Sequence, residues 1–160
     1  MARELVQKPV KIREKTITFT FLSTKDAVVV LPIKPDGRVI LVKQIRPAVD
    51  EWLLELPAGG IEKGEDPLAA AMRELTEETG YEADDMQQMV SFFPSPGTST
   101  EKMYLFSARV SSQKEQHLDE GEDIQVEEYS LSEAWDLVKS GAIKDGKTIL
   151  GLSLLQQSTR

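Results

Sequence analysis

Gly59-Gly60-Ile61-Glu62-Lys63-Gly64-Glu65-Asp66-Pro67-Leu68-Ala69-Ala70-Ala71-Met72-Arg73-Glu74-Leu75-Thr76-Glu77-Glu78-Thr79-Gly80-Tyr81 is the stretch from which the rest of the chain can be read. Its second half predicts a helix over about 67–79. Asp66 is a good N-cap, Pro67 suits the first turn, and Gly80 suits the position just past the end. With about 100° per residue, Leu68, Ala71, Met72 and Leu75 fall on one stripe, which is expected to face the core. Glu74 and Glu78, four apart, stand one turn above each other at the edge of that stripe. Glu77 lies beside them, and Arg73 stands four residues before Glu77. Three carboxylates this close repel one another unless a cation offsets them. Hard cations take oxygen ligands and keep several waters, so such carboxylates with a substrate phosphate make a plausible cation site. An acidic helix face taken by itself is more often simply solvated, with Arg73 as an intrahelical partner.

Outward from the helix, strands dominate. Trp52 to Leu56 is a short apolar run ending at Pro57-Ala58-Gly59-Gly60. Upstream, Ala27 to Ile33 is a continuous β-branched run suited to a central strand buried on both faces. Lys34-Pro35-Asp36-Gly37 supplies turn chemistry, and 38–44 returns as a second strand. Thr16 to Leu22 alternates threonine with large apolar residues, the period of a half-buried strand. Downstream, 86–93 and 102–110 read as strands joined by the loop Pro94 to Thr100. Residues 111–123 read as a polar loop, 124–130 as a strand, and 132–139 and 147–156 as helices. The expected architecture is one mixed α/β domain, a sheet sandwiched by helices.

Bulk properties narrow the function. The 160 residues suffice for one hydrophobic core. A composition with 40% hydrophobic and 29% charged residues is ordinary for a globular protein. A net charge of -8 argues against a stable nucleic-acid partner. It leaves phosphate-containing substrates open, because a bound cation reverses the local sign. Cysteine is absent and His117 is the single histidine, which excludes thiolate chemistry and a multi-histidine site within one chain. No run approaches the roughly 18 apolar residues needed to span a membrane, and the start lacks a signal-peptide core. A soluble cytoplasmic protein is the expectation.

The longer pattern changes the weight of the acidic helix. Gly59, five residues, Glu65, seven residues and then Arg73-Glu74-Leu75-Thr76-Glu77-Glu78-Thr79-Gly80-Tyr81 match the Nudix box at every fixed position. Tyr81 is large but less usual at the final apolar place. By this resemblance the fold is a Nudix-type α/β/α sandwich with a mixed β-sheet, the box forming a loop, helix and loop. The resemblance makes Glu74 and Glu78 metal ligands and Glu77 a ligand or its hydrogen-bonding support. Arg73 orients a carboxylate, Glu65 supports the site from the helix start, and Gly59 lets the backbone turn beside it. The implied cofactor is Mg2+, with Mn2+ as the alternative.

The flanks resemble the ADP-ribose pyrophosphatase branch of that family. Gln44-Ile45-Arg46 carries an arginine that contacts substrate there, and Ala58, before the box glycine, offers its carbonyl to metal. Pro96, about fifteen residues beyond the box, marks the substrate class, although Pro-Gly by itself means only a turn. Glu101 matches an acidic residue that follows this loop and touches substrate or metal. Leu118 to Ile124 resembles a mobile catalytic loop, which makes Glu120 the general base and Glu122 a further metal ligand. Read plainly, it is a charged solvent loop. His117 is given no role. Relatives in this branch are homodimers that exchange N-terminal strands, so residues 1–25 are expected to form such strands. Phe19 and Phe21 are candidates for stacking on the base, though alternating strand aromatics are more often packed core.

The expected activity is metal-dependent hydrolysis of a nucleoside diphosphate sugar. ADP-ribose, giving AMP and ribose 5-phosphate, is favoured, with GDP-mannose and other diphosphate sugars as competitors. Rival readings are a nucleoside triphosphate or dinucleotide polyphosphate hydrolase, a nucleotide-binding sensor without turnover, and an acidic interaction domain.

Overall fold

The computed structural model describes residues 4–118, 121 and 123–158. In chain order the elements are β1 (Glu4–Ile12), β2 (Lys15–Ser23), β3 (Ala27–Ile33), β4 (Val39–Arg46), β5 (Glu51–Glu55), β6 (Ala58–Gly60) and α1 (Pro67–Thr79). β7 (Tyr81–Phe92), β8 (Met103–Gln113), β9 (Ile124–Tyr129), α2 (Leu131–Ser140) and α3 (Gly146–Ser158) follow.

β3 organises the molecule because it is apolar on both faces. It runs parallel to β8, and β6 lies antiparallel to it. The sheet runs β5-β4-β3-β8-β7, with β6 on β3 and β9 on β4. Successive residues of β3 point to opposite sides, and the core divides accordingly. Val28 and Val30 join Ala70, Ala71 and Leu75 of α1. Val29 and Leu31 join Ala134 of α2, Leu152 of α3 and Ile143 from the connection between those helices. Helices therefore cover both faces of a mixed sheet, which is the expected α/β/α sandwich. The turn between β3 and β4 forms where the sequence places it. Gly37, at φ 83, donates its N–H to the Lys34 carbonyl at 2.9 Å.

Three expectations are corrected. The buried face of α1 is Ala70, Ala71, Leu75, Glu78 and Thr79, whereas Leu68 and Met72 are 38% and 45% exposed. The helix is rotated so that alanines face the sheet, which lets its backbone approach closely and carries Glu78 inward. β2 is not half-buried: Ile17, Phe19 and Leu22 are all exposed, because the β1–β2 hairpin is a separate two-stranded sheet. β7 begins at Tyr81, directly after the helix cap, rather than at 86, and β8 extends to Gln113 into the expected polar loop. Among the described residues no helix is long and apolar enough to cross a membrane.

Candidate active site

The close approach of α1 to β6 builds the site. A Cβ on Gly59 would stand 2.0 Å from Cδ of Glu74, so the Glu74 carboxylate rests where any other residue would put a side chain. One turn on, Glu78 is 4% exposed, and its Oε2 accepts the Ala58 N–H at 3.0 Å. Both carboxylates thus meet consecutive residues of β6 from the same helix, as four-residue spacing allows.

Arg73 ties the rest together. Its Nε and Nη2 donate to the two oxygens of Glu65 at 2.9 and 3.0 Å. Nη1 donates to Glu74 and to Glu77, each at 2.8 Å, and Nη2 also reaches the Gly60 carbonyl at 3.1 Å. Glu65 further accepts the Glu62 N–H at 2.8 Å. The bonds from Arg73 and this backbone N–H hold the Glu65 carboxyl down to about 2. The same Glu65 bonds, against the cost of desolvation, raise the Arg73 guanidinium above its ordinary range.

One guanidinium therefore faces Glu65, Glu74 and Glu77, and buried Glu78 adds to the negative excess. Among the described residues no three such side chains already converge on a cation-binding point, since Glu74 and Glu77 share Nη1 of Arg73. The donor set nevertheless fits a hard divalent ion. Every candidate ligand is an oxygen, and the vacant Cβ direction of Gly59 is what admits the Glu74 carboxylate. Ala58, Gly59, Arg73, Glu74, Glu77 and Glu78 line an open pocket of about 160 Å³.

A NUDIX domain model matches residues 23–150, and these include the whole cluster. The chain belongs to the Nudix family. It is 41% identical over 132 residues to a methanol dehydrogenase activator of Bacillus methanolicus, covering 81% of this chain and 71% of that protein. It is 40% identical over 132 residues to an ADP-ribose pyrophosphatase of Bacillus subtilis, with the same coverage. A GDP-mannose pyrophosphatase of Escherichia coli O1:K1 is 36% identical over 131 residues, covering 75% of this chain and 67% of that protein.

Within this Nudix chain Gly59, Arg73, Glu74, Glu77 and Glu78 of the box line the pocket together with Ala58 from the flank, whereas Arg46, Pro96 and Glu101 do not line it. Arg46 is held in a two-pronged pair with Glu55, at 2.8 and 2.6 Å. Glu55 is buried and also takes Lys147 at 2.5 Å, so Arg46 is anchored toward α3. Burial would raise the Glu55 carboxyl, but Arg46 and Lys147 outweigh it and hold the group low. Pro96 lies in an exposed turn, with Thr98 N–H donating to the Ser95 carbonyl at 3.0 Å. That turn is bonded to Leu22 of β2 through the Thr98 carbonyl at 2.8 Å. Glu101 is half-buried, its N–H donating to Ser99 Oγ at 3.0 Å. Phe19 is exposed and Phe21 half-buried on the hairpin. Glu120 and Glu122 lie outside the described residues.

Lys25, Glu62 and His117 are pocket residues with no assigned role in the sequence. His117 lines the pocket, and its backbone N–H donates to the Glu77 carbonyl at 3.0 Å. Gln116 beside it donates from Nε2 to the Glu78 carbonyl at 2.5 Å. These bonds tie the chain after β8 to the last turn of α1, whose terminal carbonyls need partners. Lys25 and Glu62 also line the pocket, paired at 2.6 Å. No local pattern announces Lys25, since the β3–β6 register alone brings it to the box.

Proposed function

We propose that the chain hydrolyses the diphosphate linkage of a nucleoside diphosphate sugar, with ADP-ribose, split to AMP and ribose 5-phosphate, as the favoured substrate. The observation that carries this is the carboxylate cluster on Arg73, packed against Ala58 and Gly59 at an open pocket. The relatives named ADP-ribose pyrophosphatase and GDP-mannose pyrophosphatase support the substrate class, and the second of these names makes GDP-mannose the second candidate.

Glu74 and Glu78, with Glu77 and the Ala58 carbonyl, would hold the metal, Mg2+ or alternatively Mn2+. A divalent ion there supplies charge neutralisation at the phosphoryl oxygens and a more acidic water. The chain's own part is positional. Arg73 keeps Glu65, Glu74 and Glu77 in register, and the Ala58 N–H fixes one oxygen of Glu78. Glu120 is assigned as the general base, Glu122 as a further ligand, and Arg46 with Pro96 and Glu101 as the substrate-recognising flank. In that role Arg46 turns from Glu55 to the substrate or meets it with its outer edge.

The active unit we propose is a homodimer built through the N-terminal hairpin. The β1–β2 register puts Val6, Val10 and Ile12 on one face with Ile17, Phe19 and Phe21, and threonines on the other. A lone two-stranded hairpin is marginal in water, and an apolar face this exposed seeks a partner.

The deciding assay offers ADP-ribose, GDP-mannose, UDP-glucose and nucleoside triphosphates with Mg2+, with Mn2+ and with chelator. Turnover of a diphosphate sugar in metal alone is expected. Binding without turnover would instead mean a sensor. Glu120→Gln should lower kcat by a factor on the order of 10² to 10⁴, and an unchanged rate would place the base elsewhere.

A further inference from the structure

A diphosphate entering this pocket brings negative charge to walls that are already negative, so the cations at the pocket matter most. Among the described lining residues, the lysines and arginines are Arg73 and Lys25. Arg73 is committed: a guanidinium has five N–H donors, and here they meet five acceptors on Glu65, Glu74, Glu77 and Gly60. Lys25 is not. Its Nζ donates to Glu62 Oε1 at 2.6 Å, and an ammonium has three donors. The partner is a rim carboxylate whose side chain is 63% exposed, and a pair this open to water is weak and readily exchanged.

Lys25 is also held in place. On one side, the Thr24 N–H donates to Thr100 Oγ1 at 3.0 Å. On the other, Asp26 accepts the Ile61 N–H at 2.9 Å and, through Oδ1, the Lys102 N–H at 3.3 Å. Its stem crosses Gly60 so closely that a Cβ there would lie 2.0 Å from Lys25 Cε. A glycine in the box loop is therefore what gives the ammonium its path to the pocket. Backbone anchors on both flanks lower the entropy cost of offering that charge to a ligand.

We propose that Lys25 is a diphosphate-binding residue of this site: its ammonium leaves Glu62 and takes a phosphate oxygen of the entering substrate, while Glu62 competes with that substrate. The inference rests on the hydrolase reading above and adds a specific contact to it. Because the diphosphate is common to all candidate substrates, Lys25 contributes equally to ADP-ribose and GDP-mannose.

The test compares Lys25→Met, Lys25→Arg and Glu62→Gln with wild type, by steady-state kinetics and by calorimetric titration of ADP-ribose with Ca2+ present. Lys25→Met should raise KM and Kd about tenfold, the scale of one charge-assisted hydrogen bond. Its kcat should change less, and Lys25→Arg should recover most of the loss. Glu62→Gln should move the other way, lowering KM about two- to threefold, because it removes the competitor. A merely structural pair would instead make both variants worse together, and that outcome overturns the proposal. So does a Lys25→Met protein whose KM and Kd stay within twofold of wild type. A tenfold weaker Kd in a protein that turns nothing over would uphold the contact and sink the hydrolase reading. A wild type that neither binds nor hydrolyses any diphosphate overturns both.

Discussion

The β1–β2 hairpin and the α1–β6 unit both show regular apolar periodicity, yet they end in opposite environments. On β2 threonines alternate with apolar residues from Thr16 to Phe21, yet Ile17, Phe19 and Leu22 are exposed. On α1 two of the three large apolar residues of the expected stripe, Leu68 and Met72, are exposed, while Leu75 and the small Ala70 and Ala71 are buried. Periodicity specifies the element and groups its side chains by face. Whether a face is covered depends on what the rest of the chain, or a second chain, brings against it. For α1 that partner is the sheet, and alanines allow the near contact on which Glu74 and Glu78 depend. For the hairpin, the partner we infer is another copy.

The largest expected effect lies in the α1–β6 unit. Glu78→Gln should reduce hydrolysis by at least about 10³-fold, by loss of charge stabilisation in the transition state, with far-ultraviolet circular dichroism unchanged. Activity near wild type would remove Glu78 from the metal set. Gly59→Ala should be milder, since its Cβ would displace the end of a flexible Glu74 side chain rather than backbone. A loss of about 10²-fold in kcat is the scale expected for misplacing a group by an ångström. The melting temperature should shift little, which separates misplaced chemistry from misfolding.

The hairpin is tested by Ile17→Glu with Phe19→Glu. Sedimentation should show the dimer dissociation constant rising about 30-fold or more, the scale of losing central apolar anchors. A wild type that is monomeric at every concentration would mean that the apolar face serves something else.

The smallest effect is on acid stability. Because the Glu65 carboxyl is held at about 2 instead of 4.5, its contribution to stability is fully present above about pH 4.5 and is lost as pH falls through about 2. Solvent screening limits it to about 1 kcal/mol. Denaturation midpoints across that window should fall less steeply in Glu65→Gln than in wild type, and parallel curves would show that Arg73 does not hold Glu65 low.

Most of the carboxylate cluster around Arg73 was legible because it is local. Glu65, Arg73, Glu74, Glu77 and Glu78 lie within one loop and helix, where backbone geometry converts spacing into position. Arg46 shows the limit: its motif is recognisable, but its embrace by Glu55 and Lys147 joins residues about a hundred positions apart in the chain.

From the sequence alone came the helix limits, the carboxylates at four-residue spacing, the central strand and the sandwich they imply, since these follow from hydrogen-bond periodicity and side-chain polarity over short distances. The tertiary structure alone decided which face of α1 is buried, that His117 stands at the pocket, and that Lys25 meets Glu62 across Gly60. These contacts depend on strand register and helix rotation, which are settled by packing summed over the whole core and leave no local mark in the chain.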